Sequence, residues 1–252
     1  MTKSSSPAPI GHGDITAVMR KKTLEPQQAR SRESLRKLLK AATEVLGQHG
    51  VDGTTIPRIA RHAGLTPGSV YRRFHDKEAL LEAAILGILE RQDERMKNGM
   101  TPIVTAQIPL AVFAEQVITA MVVTYRANAA LLRAMRQFVQ GRAHTAFWKK
   151  AAKLEVRHFQ HVVELFLSHR EEIRHPDPRI AVSLALMMVV STLYELVVWP
   201  TDLKAWRGLL PKDDQALKHE LTRAFLSYLG VEANPAVHAA TMHSSHVARS
   251  RV

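Results

Sequence analysis

The residues best suited to chemistry lie between Thr54 and Lys77, where TTIPRIARHAGLTPGSVYRRFHDK gathers three Thr, one Ser, one Tyr and five Lys or Arg. Thr55 and Thr66 offer hydroxyls and free backbone N–H groups at helix starts, which suit phosphate oxygens. Arg58, Arg61, Arg73 and Lys77 add positive charge, and Gly68 permits close approach of a partner to the backbone. Such a set holds a polyanion; it does not break covalent bonds. Covalent chemistry finds little support elsewhere. The chain has no Cys, which removes disulfides, thiolate metal sites and cysteine nucleophiles. It has no G-x-S-x-G elbow, no phosphate-cradling glycine loop and no acid paired with an obvious base, so a non-enzymatic protein without a cofactor is expected.

The elements that position these residues follow from local signals. Leu35, Leu38, Leu39, Ala42, Val45 and Leu46 fall at helical spacing from Ser31, with a stop at Gly50. Thr54 or Thr55 caps a second helix with Pro57 in its first turn, and Gly64 ends it. Thr66 and Pro67 start a third helix that reaches about Phe74, and Asp76 caps a longer fourth. Two short capped helices separated by AGLT form a helix-turn-helix pattern.

Charge supports that pattern. The formal net charge is +12, and residues 1–77 carry 14 Lys or Arg against 6 Asp or Glu, while the remaining 175 residues carry 21 against 17. A concentrated basic excess is the footprint of a nucleic-acid partner, and a solvated surface is its bland alternative. Residues 1–29, rich in Ser, Pro, Gly and Lys, read as a flexible basic arm, and residues 234–252 as a disordered tail.

The run TTIPRIARHAGLTPGSVYRRFHDKEALLEAAI resembles the N-terminal domain of the tetracycline-repressor (TetR/AcrR) family of transcriptional regulators, over about residues 30–85. Thr54-Thr55, Ile59-Ala60, Ala63-Gly64, Gly68, Tyr71, Phe74, Lys77-Glu78 and Leu80-Leu81 carry the resemblance. It implies an all-α protein, with a three-helix DNA-binding domain at 30–76 and a helical effector-binding and dimerisation domain at 77–233. It also implies a double-stranded DNA operator, with Pro67 and Ser69 at base or sugar contacts and Tyr71, Arg73 and Lys77 at phosphates. Thr55, Arg58, Thr66 and Gly68 complete the expected DNA-binding set. Arg73 departs from the histidine or aromatic residue common in the family and should strengthen phosphate binding. Leu65, Val70 and Phe74 read as core, and Arg72 as solvated.

Beyond residue 100 the periodicity predicts helices at about 108–126, 128–140, 144–172, 177–199 and 212–229, with few strand signals. The resemblance implies that helices four to seven surround a small-molecule cavity and that the last two helices form a dimer interface. Phe113, Met121, Tyr125, Phe138, Trp148, Phe159, Met187 and Tyr194 are the candidate walls, although a plain core uses the same side chains at the same spacing. Residues 180–199 are apolar almost all round, and 212–229 adds Leu217, Leu221, Ala224, Phe225 and Tyr228 on one face. A homodimer through 177–199 and 212–229 is therefore expected, with a wholly intramolecular core as the alternative.

The expected function is a ligand-responsive repressor released from a palindromic operator by a small molecule. Cytoplasmic localisation is expected because the first twenty residues lack the apolar core of a secretory signal peptide. Two other classes remain in play. His158, His161 and Glu164 share a helical face and suggest a metal-dependent helical hydrolase, although such a site needs another ligand. The basic arm and the long apolar segment 180–199 suggest a membrane-surface protein, but Glu195 near one end and the lack of a second span favour burial in protein, so no membrane is expected. The tail histidines His238, His243 and His246 form at most a loose metal cluster.

Overall fold

A computed structural model describes residues 13–99, 101–199 and 208–231. The first twelve residues of the expected arm and the whole expected tail, with its histidines, lie outside the described residues. Among the described residues every regular element is helical: α1 (Gly13–Gly53), α2 (Ile56–Ala63), α3 (Pro67–Tyr71), α4 (Lys77–Lys97), α5 (Pro102–Thr105), α6 (Leu110–Gln140), α7 (Ala146–Leu167), α8 (Pro178–Leu193) and α9 (Asp214–Tyr228). A 3-10 turn at Arg170–Glu172 precedes α8, and a π-helical turn at Tyr194–Val198 follows it.

The sequence signals for helix ends hold in the first third. Gly50 has φ 66 and ψ −175, which breaks α1 at the expected stop. Thr55, not Thr54, caps α2 by accepting the Arg58 N–H, while the buried Thr54 hydroxyl donates to the Gly50 carbonyl at 2.5 Å. Gly64 sits in the left-handed region at φ 67, and its N–H closes the end of α2. Thr66 and Asp76 accept the N–H groups of Ser69 and Ala79 at the starts of α3 and α4.

Three expectations on element bounds change. The backbone is helical from Gly13, so residues 13–29, expected as a flexible arm, continue α1, with Pro26 inside the helix although its ring and missing N–H disfavour that position. The RAN break does not exist: α6 runs unbroken through it, and Asn128 Nδ2 donates to the Thr124 carbonyl one turn back. Merging its two halves also makes α6 a second helix long and apolar enough to cross a membrane, beside Pro178–Val198, where one such segment was expected. Both contribute buried residues to protein cores.

There are two such cores. One joins α1, α2, Val70 and α4 to Ala134 and Phe138 of α6 and to Phe147, Ala151 and Leu154 of α7. The other joins the first half of α6, from Leu110 to Val122, with the end of α7, α8, the π turn and α9. Helices α6 and α7 therefore run from one core into the other.

Candidate nucleic-acid interface

Ile59, Ala60 and Val70 are fully buried and anchor α2 and α3 on α1 and α4. Leu65 and Phe74 pack partly buried against the same core, as expected. With that side held, Thr66, Pro67, Gly68, Tyr71, Arg72 and Arg73 are all exposed, and Tyr71 is 56% exposed. A five-residue helix is marginal alone. Here the Thr66 hydroxyl oxygen accepts the Ser69 N–H at 3.3 Å, and Ser69 Oγ donates to the Thr66 carbonyl at 2.7 Å, which closes its first turn. A Cβ added to Gly68 would meet no atom of the chain within 4 Å, so nothing inside the protein requires a glycine there.

Three of the expected phosphate-binding cations have partners within the chain. Arg73 reaches from the end of α3 to Ser31 on α1, bonding its carbonyl at 3.1 Å and its hydroxyl at 3.3 Å. Lys77 Nζ donates to the Val51 carbonyl at 3.4 Å, and Arg58 Nη1 donates to the Gly53 carbonyl. The Arg73 bonds tie the chain after α3 to the middle of α1, while the Arg58 and Lys77 bonds tie α2 and α4 to its end. Arg72, read from the sequence as solvated, is exposed beside Tyr71 with no partner among the described residues, and it joins the candidate set. Its neighbour in sequence, Arg73, carried the stronger signal, and only the fold separates their roles.

The same stretch decides the chain's kinship. Residues 38–84 match the sequence profile of the bacterial regulatory proteins of the tetR family. The chain carries a tetR-family domain over these residues. It is 28% identical to the HTH-type transcriptional regulator UidR of Escherichia coli over 75 residues, 30% of this chain and 38% of that protein. It is 39% identical to the uncharacterized HTH-type transcriptional regulator TtgW of Pseudomonas putida over 57 residues, 23% of this chain and 42% of that protein. The match thus spans less than half the length of these curated relatives. In fold, a TetR-family structure from Mesorhizobium loti MAFF303099 covers 80% of this chain and 97% of its own at a TM-score of 0.59 and 18% identity. The fatty acid degradation regulator FadR of Bacillus halodurans covers 79% and 99% at a TM-score of 0.53 and 18% identity.

The C-terminal half of the chain does not bring the eight expected wall residues to one place. Phe113 is fully buried in the C-terminal core, its ring 4.7 Å from Phe166 and 5.5 Å from His169. Phe138 belongs to the other core, between Phe147 and the Arg142 guanidinium, and Trp148 packs on His144 near the start of α7. Met187 is 50% exposed on α8. Met121, Tyr125 and Phe159 pack partly buried at the edge of the C-terminal core, and the Tyr125 and Tyr194 rings meet edge to face at 5.5 Å.

Tyr125 and Tyr194 lie in a polar layer. On α6 no residue between Val122 and Ala134 is buried, and on α7 none between Leu154 and Val163, so the two apolar cores stop short of each other. Glu155 occupies this level, open to water yet closely surrounded by protein, and that desolvation holds its carboxyl above the usual range. Burial raises the Tyr125 and Tyr194 phenols, with the Glu155 charge adding to both. Burial also holds His158 below its ordinary value, reinforced by His161 beside it. The hydrolase reading fails at this point: Glu164 pairs with Arg179 at 2.8 Å, and among the described residues no three His, Cys, Asp or Glu stand close enough to hold a metal.

The expected dimer faces divide. Leu217, Leu221 and Phe225 of α9 are buried in their own core, which leaves Gln215, His219, Arg223 and Ser227 outward. On α8, Ile180, Leu184, Met187 and Met188 form one exposed apolar stripe at i, i+4, i+7 and i+8.

Proposed function

We propose that the chain is a cytoplasmic, homodimeric transcriptional repressor that grips a palindromic DNA operator through α2 and α3 and is released by a small molecule. The observation that carries this reading is the outward face of α3, where Thr66, Pro67, Gly68, Tyr71 and Arg72 are exposed on a helix whose inner side is locked by Val70. Two-fold docking puts the two α3 helices in successive major grooves, about 34–36 Å apart. The α8 stripe supports the dimer, since a contiguous apolar surface of this kind marks an interface.

Release requires the two cores to communicate, and α6 spans both. Its early residues pack in the C-terminal core, while Ala134 and Phe138 sit in the DNA-binding core. Along that length a Cβ at Gly47 of α1 would lie 3.4 Å from Leu131 Cβ, so α1 and α6 run in close contact. Arg133 bonds the Val198 carbonyl with Nε at 2.8 Å and Nη2 at 2.6 Å, fixing the π turn to the same helix. A ligand that displaces α6 therefore moves α1 and the helices it carries.

Selection of bound duplexes from random oligonucleotides is expected to return a two-fold symmetric site. On that site, a Tyr71→Phe/Arg72→Ala double variant should bind all sequences more weakly and lower the salt slope by about 1 for each phosphate no longer neutralised. Full operator affinity in the double variant, or selection of no symmetric site, overturns the reading.

A further inference from the structure

Residues 66–74 hold to the rest of the chain in two ways. Val70 is the only buried residue of α3, and Phe74 just beyond it is partly buried, so apolar packing sets how deeply the helix sits. Such packing is non-directional, and a five-residue helix seated on it can still tilt. The directional contact comes from Arg73, whose side chain makes the only hydrogen bonds from these residues to another helix among the described residues. Its Nη1 donates to the Ser31 carbonyl at 3.1 Å and its Nη2 to the Ser31 hydroxyl at 3.3 Å. A planar fork that meets two acceptors of one residue fixes direction as well as distance.

Helix α1 holds α2 in a similar manner, with His62 Nε2 lying 2.8 Å from Glu44 Oε2. Ser31 and Glu44 are roughly 20 Å apart along α1, at about 1.5 Å per residue, so this one helix carries a separate polar anchor for each short helix. Arg72 behaves differently: it is exposed and has no partner among the described residues. Successive residues at a helix end do not face the same way, so one guanidinium turns to α1 and the other to water. The two adjacent arginines therefore differ in direction and not in charge.

We propose, building on the DNA-binding reading, that Arg73 is a positioning residue: through Ser31 it sets the angle at which α3 meets the duplex, and Arg72, not Arg73, neutralises a phosphate. Orientation matters for base contacts, whereas sequence-independent binding needs only charge near the phosphates. Binding of the full chain to the selected operator and to a random duplex of the same length, each over a range of salt, tests this. Arg73→Lys keeps the charge and loses the fork; it should weaken operator binding about three- to tenfold while random-duplex affinity and the salt slope hold. Arg72→Ala should weaken both duplexes and lower the slope by about 1. Ser31→Ala, which changes no charge, should show a smaller operator-only loss and add nothing to Arg73→Lys. Binding is read well below the melting temperature of each variant, so that lost fold does not imitate lost orientation. Full operator affinity in Arg73→Lys, equal weakening on both duplexes, additive losses from Ser31→Ala and Arg73→Lys, or a slope lowered by Arg73→Ala as much as by Arg72→Ala overturns the proposal. Operator binding by the wild-type chain, measured first, tests the DNA-binding reading alone, so the two can fail separately.

Discussion

The DNA-facing third and the middle of the C-terminal half treat their polar groups in opposite ways. Around α2 and α3, Thr55, Thr66 and Asp76 cap helices, and Arg58, Arg73 and Lys77 bond the carbonyls of Gly53, Ser31 and Val51. Between the two cores, by contrast, His158 Nδ1 and His161 Nε2 are buried with no hydrogen-bond partner. A surface that must match a rigid duplex gains from internal bonds that fix it in advance. A region that must rearrange gains from groups not yet bonded in one arrangement. The contrast agrees with docking proposed for the first region and rearrangement for the second, with α6 as the shared element.

The largest test of that contrast is cooperativity through α6. Phe138 and Phe113 are each buried on α6, one in each core. Either truncated to Ala should cost about 3–5 kcal/mol, through reduced burial and the cavity left behind. If α6 joins the cores into one unit, both variants lower a single calorimetric transition by similar amounts. Two separated transitions, with each variant moving only its own, would break the coupling on which ligand release depends.

A smaller effect concerns acid. Lys97, through its hydrogen bond, and then the Arg157 charge hold Asp93 below its ordinary value of 3.8, while burial holds His158 below 6.5. Below 6.5 the unfolded chain takes up a proton that folded His158 resists, so stability falls with pH there. The Asp93 contribution is present above 3.8 and is lost as pH falls through its lowered folded value. Hydrogen exchange on mild acidification should therefore loosen the middle of α7 before α2, and His158→Gln should remove that early step. Protection lost first in α2 would place the weak point in the docking region instead.

What could be read in advance follows the range of each interaction. Thr66, Pro67, Asp76, Gly50 and Gly64 act within four residues of themselves, and the sequence foretold each role, whereas the cap of α2 stayed open between Thr54 and Thr55 until the fold settled it. The Asn128 break was foretold wrongly, because packing at both ends of α6 outweighs the modest cost of an Asn in a helix. The Arg73 charge was legible, but its partner Ser31 lies 42 residues away and depends on how α3 sits against α1. The unpartnered nitrogens of His158 and His161 carried no local signal of that kind. Their burial depends on how α7 sits against its neighbours, which only the fold reveals. Of the wall candidates, Phe113, Met121, Tyr125 and Phe159 share the C-terminal core while Phe138 enters the other, because size and spacing do not say which of two cores a side chain enters.

The smallest predicted change in stability separates folding from docking most directly. Gly68 lies in the first turn of α3 without a positive φ, and a Cβ there would touch nothing within the chain. Gly68→Ala should therefore leave the fold intact or stabilise it by about 0.4–1 kcal/mol, since Ala loses less conformational freedom on forming the helix. The same methyl group projects from the exposed leading turn, where the proposed duplex must approach the backbone closely. Operator binding should weaken as melting temperature holds or rises. If the variant loses stability, the glycine belongs to the fold and not to the docking surface. If it keeps full operator affinity, the leading turn of α3 does not lie against the bases, and the reading face must shift toward α2 and Arg58.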